Sequence, residues 1–201
     1  MERQKVDQTA RIERVTAETS IELILNVNGS GQADIKTGIG FFDHMLTAFA
    51  QHSQSDLIVR CTGDLHVDGH HTVEDVGICL GRALAQVTAD KRGMARYGHA
   101  VVPMDEALVE CALDFSNRSY LGLHQMVFPQ TTVGEYDACL TPEFFRAVVN
   151  NAGLTLHMRC LAGENSHHII EASFKAFARA CAAAWQRNQG SVAVLSTKGV
   201  L

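Results

Sequence analysis

Two short stretches of the sequence each carry a His-His pair followed three residues later by a glutamate. The first pair begins at His70 (HHTVE) and the second begins at His167 (HHIIE). In a helix, residues four apart lie on one face, so His70 shares a face with Glu74, and His167 with Glu171. Imidazoles and carboxylates together bind divalent Mn, Fe, Co or Zn. One such pair is more often a surface feature, but its repetition predicts a metal-binding protein.

The elements that must position these residues also occur twice. In each half a helix is followed by a strand, and the strand by the helix that begins at the histidines. Residues 59–61 (VRC) match residues 158–160 (MRC) in this pattern. It predicts an internal duplication of an α+β unit, with half-repeats at residues 1–95 and 96–201 that form one compact domain. Two packings fit: sheet on sheet, or two four-stranded sheets that share a layer of helices.

Residue periodicity predicts the individual elements. Residues 11–28 are expected to form one strand, with Glu18 in its middle. Further strands are expected over residues 33–37, 56–61, 100–106, 107–115, 120–127 and 154–160, and a loop over residues 129–141. Helices are expected up to about His52 with Asp43 as the cap, behind each His-His pair, and from Pro142 to about Asn151. The apolar stripes of the two motif helices are expected to be core: Val73, Val76, Leu80, Leu84 and Val87, and then Ile170, Phe174, Phe177, Cys181 and Trp185.

His44 and Glu143 occupy matching places in the two halves. His44 opens the helix before the first motif, 26 residues ahead of His70, and Glu143 opens the matching helix, 24 residues ahead of His167. If His44 is a metal ligand, the duplication makes Glu143 the equivalent candidate. A helix-capping role is the alternative for both residues, and the sequence leaves the two open.

Composition narrows the class of protein. The chain has 201 residues, of which 46% are hydrophobic and 19% charged, which suffices for a sizeable core. A formal net charge of −5 argues against general binding to nucleic acid or an anionic membrane. Six cysteines without a CxxC pair favour buried, reduced thiols. No apolar run reaches about 18 residues and the N-terminus lacks a signal core, so a cytoplasmic protein is expected.

Four motifs, in order along the chain, resemble one family. They are GFFDHML at residues 40–46, GHHTVED at 69–75, GENSHHIIEA at 163–172 and STKG at 196–199. Together they resemble imidazoleglycerol-phosphate dehydratase of histidine biosynthesis, and the similarity covers nearly the whole chain. The resemblance implies an α+β fold like domain 2 of ribosomal protein S5, and a length typical of the stand-alone enzyme. It also implies a homo-oligomer in which trimers assemble into a shell of twenty-four subunits, with active sites at subunit interfaces.

The resemblance implies a reaction and two cofactor ions. That family removes water from D-erythro-imidazole glycerol phosphate to give imidazole acetol phosphate, with two Mn²⁺ per active site, although other divalent metals suit the same ligands. The departing proton lies on a carbon with no neighbouring carbonyl, so ordinary enolate chemistry is not open. Metals on the substrate's imidazole act as template and Lewis acid, so that the ring can absorb charge as the hydroxyl leaves.

The resemblance also assigns residues. The metal ligands it implies are His44, His70, His71, Glu74, Glu143, His167, His168 and Glu171, with Glu143 the position at which some relatives have histidine. Glu18 is the implied acid or base. His52 and Asp105 are weaker candidates for proton transfer or binding, with a solvent-facing role as the alternative for each. Substrate and phosphate are expected to meet Glu18, His44, His70, Arg96, Arg118, Lys175, Ser196 and Lys198.

Two other classes of protein fit the same ligands. A dinuclear metallohydrolase would use a metal-bound hydroxide and would not require an imidazole in its substrate. A metal-binding or storage protein would close its coordination shell, and changes to Glu18 or Lys175 would leave its behaviour unchanged. Incubation with imidazole glycerol phosphate separates the three, because only a dehydratase yields the keto product.

Overall fold

Each half of the chain builds a four-stranded sheet with the same topology. A computed structural model describes residues 8–187 and 193–196. Its strands are β1 (Thr9–Val15), β2 (Thr19–Asn26), β3 (Ala33–Lys36), β4 (Asp56–Gly63), β5 (Tyr97–Met104), β6 (Ala107–Asp114), β7 (Tyr120–His124), β8 (Thr132–Val133), β9 (Tyr136–Asp137) and β10 (Thr155–Ala162). The first sheet has the order β1-β2-β4-β3 and the second β5-β6-β10-β7. In each, one edge strand pairs in parallel (β3 with β4, β7 with β10) and the other pairs are antiparallel.

Four helices lie between the two sheets. They are α1 (Gly40–Ser53), α2 (His70–Val87), α3 (Leu140–Ala152) and α4 (Ser166–Trp185). Helix α2 packs on β1 and β2, and α4 packs on β5 and β6. Across the middle, α1 packs against α4 and α2 against α3. The α+β fold class is therefore confirmed, with a shared layer of helices rather than direct packing of sheet on sheet.

The core lies on the faces that the apolar periodicity selects. In β2, alternate residues Ile21, Leu23 and Leu25 are buried, as expected for a strand with one face on the helices. Fully burying a Leu or Phe side chain contributes roughly 1.5–3 kcal/mol, so these stripes dominate the stability. Every residue of the two predicted helix stripes is buried: Val73, Val76, Leu80, Leu84, Val87, Ile170, Phe174, Phe177, Cys181 and Trp185.

Close packing of α2 on α3 depends on a glycine. A Cβ at Gly81 would lie 2.6 Å from the carbonyl oxygen of Val148 and 2.8 Å from the Cβ of Asn151. Both contacts are far inside the van der Waals limit, and the first involves backbone that cannot rotate away. The glycine therefore sets the distance between the two halves at this crossing.

The prediction of one strand over residues 11–28 was wrong. Two antiparallel strands, β1 and β2, occupy this stretch, and Glu18 lies in the turn between them. The hydroxyl of Thr16 accepts hydrogen bonds from the amides of Glu18 (3.2 Å) and Thr19 (3.0 Å), which satisfies backbone donors without a strand partner. The local turn chemistry of Thr16 overrides the apolar alternation on either side.

Three smaller expectations also changed. Residues 129–141 are not all loop, because they contain the β8–β9 hairpin and the first residues of α3. Asp43 does not cap α1: its carboxylate accepts hydrogen bonds from the amide and hydroxyl of Thr37, and Ile39 is the N-cap residue. The strand predicted through residue 106 ends at Met104, because Asp105 has a positive φ of 48° at the hairpin turn.

The six cysteines are unpaired, as the sequence predicted. Cys79, Cys111, Cys160 and Cys181 are buried, and Cys61 is partly buried. Cys139 is exposed, so the expectation of buried thiols was wrong for this residue. Burial raises the pKa of the Cys61 and Cys79 thiols to about 11, which leaves both protonated at neutral pH. Among the helices of the described residues, none has the length and apolar character to cross a bilayer.

Candidate metal centre

One carboxylate and two imidazoles from distant parts of the chain meet between α1 and α4. His44 Nε2 lies 3.3 Å from Glu171 Oε2, and His167 Nε2 lies 3.1 Å from the same oxygen. The three ligand atoms all lie within 4.8 Å of one another, the one group of this kind in residues 8–187 and 193–196. The side chain of Glu171 is only 8% exposed, whereas that of His44 is 51% exposed. The cluster is therefore buried on the side of the Glu171 carboxylate and open to solvent on the side of His44.

Local structure orders His167 and places His44 opposite it. Asn165 caps α4, and its side-chain oxygen accepts a hydrogen bond of 2.9 Å from the amide of His167. The ring of Phe41 meets that of His167 edge to face, with centroids 5.0 Å apart. His44 lies in the first turn of α1, which packs against α4. The duplicated helices thus bring a residue of the first half to the motif of the second.

Lys175 forms a short ion pair with Glu171. Its Nζ lies 2.7 Å from Glu171 Oε1, one helical turn along α4. Burial opposes ionisation of Glu171, but the hydrogen bond and charge of Lys175, with His44 and His167, outweigh it and hold the pKa of Glu171 below its usual range. Glu171 is therefore an anion that presents one oxygen to Lys175 and the other to the two imidazoles.

The motif of the first half is more open. His70 Nε2 lies 3.7 Å from Glu74 Oε2, and both side chains are nearly half exposed. Glu143, the predicted equivalent of His44, makes a 3.3 Å contact with Arg146 on its own helix. Within the described residues no third ligand atom joins His70 and Glu74 as closely as in the α1–α4 cluster.

The second histidine of each pair points away from the first, as predicted. His71 Nδ1 lies 3.0 Å from Asp64 Oδ2, and its Nε2 lies 3.6 Å from Glu18 Oε1. The hydrogen bond to Asp64 raises the pKa of His71, with further help from the charge of Glu18. Glu18 is thus a half-exposed carboxylate beside the first motif.

His168 has an equivalent environment in the second half. Its Nδ1 lies 2.6 Å from Glu106 Oε2, and its Nε2 lies 3.8 Å from Asp105 Oδ2. The hydrogen bond raises the pKa of His168 and lowers that of Glu106 to about 2. Asp105 itself is 81% exposed, so it is free to reorient.

The two arginines predicted to bind phosphate differ in exposure. Arg96 is buried, and its guanidinium forms two hydrogen bonds with Asp114 and one of 2.5 Å with the carbonyl oxygen of Leu195. Arg118 is 68% exposed, and its Nη2 lies 3.8 Å from Asp114 Oδ2, which is too far for a hydrogen bond. Its guanidinium is therefore available to an anion. Arg96 holds the backbone just before Ser196, while Lys198 lies outside the described residues.

His52 lies two turns along α1 from His44, beside the cations of α4. It lines a cleft of about 660 Å³ together with Arg179 and His99. Burial lowers the pKa of His52, and the charges of Lys175 and Arg179 lower it further. The imidazole is therefore neutral at pH 7, as a proton acceptor must be.

Sequence reasoning missed the polar groups that hold the site. Asp64 was not singled out, and Glu106 was expected only as a strand residue. Asp75 was not singled out, yet it is buried and accepts hydrogen bonds from Thr19 (2.6 Å) and Arg14 (2.8 Å). This network joins the turn that carries Glu18 to the helix of the first motif. The one available signal was position, because Asp75 directly follows the HHTVE motif.

The donor set suits a divalent cation of borderline softness. Two imidazole nitrogens and one carboxylate oxygen are the ligands that Mn²⁺, Fe²⁺, Co²⁺ and Zn²⁺ share. The mutual separations of these atoms are short enough for one ion to reach all three after small side-chain movements. The residues present therefore fit a metal centre.

Comparison with known proteins points to one family over nearly the whole chain. A family model described as imidazoleglycerol-phosphate dehydratase matches residues 37–181. The enzyme of that name from Acidiphilium cryptum is 52% identical over 197 residues, which cover 98% of this chain and 100% of the relative. The one from Acidovorax sp. (strain JS42) is 54% identical over 196 residues, which cover 97% and 93%.

Solved structures agree as well. Imidazoleglycerol-phosphate dehydratase from Staphylococcus aureus superposes with a TM-score of 0.81 at 38% identity, covering 90% of this chain and 99% of that chain. The Pyrococcus furiosus structure, in complex with (S)-C348, gives a TM-score of 0.80 at 37% identity and covers 94% and 100%. Matches of this identity and coverage show common descent as well as a common fold. The chain belongs to the imidazoleglycerol-phosphate dehydratase family.

Proposed function

We propose that this hydro-lyase is a metal-dependent dehydratase. It converts D-erythro-imidazole glycerol phosphate into imidazole acetol phosphate and water, in histidine biosynthesis, with two Mn²⁺ per active site. The observation that carries the metal dependence is the cluster of His44, His167 and Glu171, whose ligand atoms lie within 4.8 Å. We also propose that the protein is located in the cytoplasm.

His44, His167 and Glu171 would hold one cation, and His70, His71, Glu74 and His168 supply further ligands, with Glu143 a candidate. Divalent cations in these positions would act as template and Lewis acid for the substrate's imidazole. The chain's own contribution is to keep the ligands ordered. Glu171 stays ionised beside Lys175, and Phe41 and Asn165 keep His167 in place.

Glu18 is the proposed proton acceptor and donor. Its carboxylate is 53% exposed and lies 3.6 Å from His71 Nε2, so it borders the first motif and can still move toward a substrate. The turn that carries it is held in place, because Thr16 is hydrogen-bonded to Thr19, and Thr19 donates a hydrogen bond to Asp75 on α2. His52 and Asp105 are secondary candidates: His52 because its pKa is lowered, and Asp105 because it is freely exposed.

The phosphate is proposed to bind cations and a hydroxyl group. Arg118 presents an exposed guanidinium, and Lys175 presents an ammonium beside the metal cluster. Arg96 acts indirectly, because its hydrogen bond to Leu195 fixes the backbone next to Ser196. Lys198 is proposed to join them from the same C-terminal segment.

An oligomer with active sites between subunits is part of the proposal. The open first motif supports it, since His70 and Glu74 need further ligands. Exposed apolar side chains on the outer surfaces support subunit contacts. They include Val15 (76% exposed), Tyr97 (57%), Val101 (43%), Tyr120 (55%) and Leu161 (46%).

The test is turnover by metal-loaded protein. We expect the purified chain, freed of metal and reloaded with Mn²⁺, to form the keto product from imidazole glycerol phosphate. Glu171→Gln removes the charge that balances the cation, so it should lower both Mn²⁺ affinity and kcat, the latter by at least about 10²-fold. Glu110→Gln is the matched control, because Glu110 is a carboxylate on β6 that forms an ion pair with His99, at 3.5 Å.

Three results would contradict the proposal. Full activity of metal-free protein in the presence of a chelator would remove the metal dependence. Release of inorganic phosphate without keto product would favour a metallohydrolase. Tight metal binding without any turnover would favour a storage protein.

A further inference from the structure

The second histidine of each pair carries a carboxylate on its Nδ1 atom. Asp64 Oδ2 and Oδ1 lie 3.0 and 3.2 Å from His71 Nδ1. Glu106 Oε2 lies 2.6 Å from His168 Nδ1. At these distances Nδ1–H donates to the carboxylate, and the neutral ring then has its lone pair on Nε2.

In both rings, Nε2 faces the more open side. The nearest carboxylates there are farther away and more exposed than those on Nδ1. Glu18 lies 3.6 Å from His71 Nε2 and is 53% exposed, and Asp105 lies 3.8 Å from His168 Nε2 and is 81% exposed. Asp64, by contrast, is only 18% exposed. One nitrogen of each ring is thus fixed by the protein, and the other is presented outward.

The two halves reach this arrangement from different positions in the chain. Asp64 directly follows β4, in the loop that leads to α2. Glu106 lies in the hairpin turn between β5 and β6, more than sixty residues before His168. The place of Asp64 in the second half, directly after β10, is taken by Gly163, which has no side chain to offer. Simple duplication therefore does not account for the carboxylate–imidazole contact in both halves.

Glu106 is held at its carboxylate and Asp64 at its backbone. Glu106 Oε1 accepts hydrogen bonds from the amides of Glu164 (3.2 Å) and Asn165 (2.9 Å), which leaves Oε2 for His168. The amide of Asp64 donates to the carbonyl oxygen of Glu18 (3.1 Å). The Glu106 carboxylate is therefore not free to follow His168, and the backbone that carries Asp64 is fixed beside His71.

We infer that Asp64 and Glu106 are positioning residues that select the Nε2-unprotonated tautomer of His71 and His168 and aim that nitrogen at a divalent cation. The inference rests on the metal dependence proposed above. Partners of this kind orient ligating histidines and make them stronger donors, and their loss typically weakens metal binding about 10- to 100-fold.

Titration of the full-length, metal-free protein with MnCl₂, followed by calorimetry, tests the inference. Asp64→Ala and Glu106→Ala remove the acceptor, and we expect each to weaken Mn²⁺ binding about 10- to 100-fold. Asp64→Asn and Glu106→Gln keep an acceptor oxygen without its charge, so their affinities should lie between those of the parent and the alanine variants.

The controls are carboxylates close to the same helix starts. Asp68 accepts a hydrogen bond from the backbone amide of His70, and Glu164 makes no side-chain hydrogen bond or ion pair with the described residues. Asp68→Asn and Glu164→Gln should therefore bind Mn²⁺ within about twofold of the parent. Thermal unfolding in EDTA separates positioning from stability, because a positioning residue changes the stabilisation by added Mn²⁺ but not the metal-free midpoint.

Mn²⁺ affinities of the alanine variants within twofold of the parent would overturn the inference. So would an equal loss in the alanine and amide variants that tracks a lower midpoint in EDTA. If an alanine variant does not fold, the amide variant of the same residue decides. A parent that binds no Mn²⁺ overturns the proposed metal dependence as well, whereas a parent that binds beside unaffected variants overturns the inference alone.

Discussion

His44 Nε2 and Glu171 Oε2 lie 3.3 Å apart although the residues are 127 positions apart in the sequence. The contact exists because the helices of the duplicated halves pack crosswise, α1 against α4 and α2 against α3. Each motif helix therefore faces the opening helix of the other half. A metal centre in this fold belongs to neither half alone.

Substitution of Lys175 should lower the rate of turnover without lowering the affinity for Mn²⁺. Lys175 Nζ lies 2.7 Å from Glu171 Oε1, so it repels any cation on the opposite oxygen. We expect Lys175→Met to leave Mn²⁺ affinity unchanged or raise it by up to about tenfold, since tenfold corresponds to about 1.4 kcal/mol. Turnover should fall by about 10²-fold or more because the phosphate loses a cation. Calorimetry and steady-state kinetics measure the two effects, and a marked fall in affinity would contradict this role.

Addition of one methyl group at Gly81 should loosen the crossing of α2 and α3. The new Cβ would lie 2.6 Å from the Val148 carbonyl oxygen, so the helices must separate or distort. We expect Gly81→Ala to lower the free energy of unfolding by about 1–3 kcal/mol, as measured by urea denaturation. Gly40→Ala is the matched control, because nothing lies within 4 Å of a Cβ there. Equal effects of the two substitutions would show that packing at Gly81 is not the cause.

The buried carboxylate of Asp75 should be a stability determinant. It pairs with Arg14 at 2.8 Å and accepts a 2.6 Å hydrogen bond from Thr19. Asp75→Asn leaves the Arg14 charge without a partner, and because Arg14 is 25% exposed we expect a loss of about 2 kcal/mol rather than the 3–5 of a fully buried pair. In a double-mutant cycle, Arg14→Met should remove most of the cost of Asp75→Asn. Additive effects in urea denaturation would mean that the two residues are not coupled.

Asp90 should contribute to stability above about pH 4 and lose that contribution in acid. Hydrogen bonds from Arg92 lower the pKa of Asp90 to about 2, below its unfolded value of about 3.9. A carboxyl whose pKa is lowered on folding stabilises the protein above the unfolded pKa, and this is lost as the pH falls toward 2.

The expected contribution of Asp90 to the free energy of unfolding is modest because the Asp90–Arg92 pair is near the surface. We expect Asp90→Asn to lower the free energy of unfolding by about 1 kcal/mol at pH 7, after allowance for screening by solvent. The difference from the parent should shrink between about pH 4 and 2. Urea denaturation across this range measures it, with exposed Glu135→Gln as control, and a difference that persists at pH 2 would contradict the assignment.

The sequence alone determined the repeat and the types of side chain at the candidate site. The two His-His-x-x-Glu motifs predicted imidazole and carboxylate ligands, and the apolar stripes of α2 and α4 are buried as expected, because helical periodicity is a local property. The same reasoning failed at the Glu18 turn. There the hydroxyl of Thr16 satisfies the backbone, an effect that apolar alternation does not reveal.

Only the tertiary structure decided which residues meet. No spacing in the sequence joins His44 to Glu171, or Glu106 to His168, because these contacts depend on how helices cross and where a hairpin turn ends. Glu143 matches His44 by position, yet its carboxylate contacts Arg146 on its own helix. Residue type and hydrophobic periodicity can be read from the sequence. The distance between two side chains, in contrast, is set by the packing of the elements that carry them.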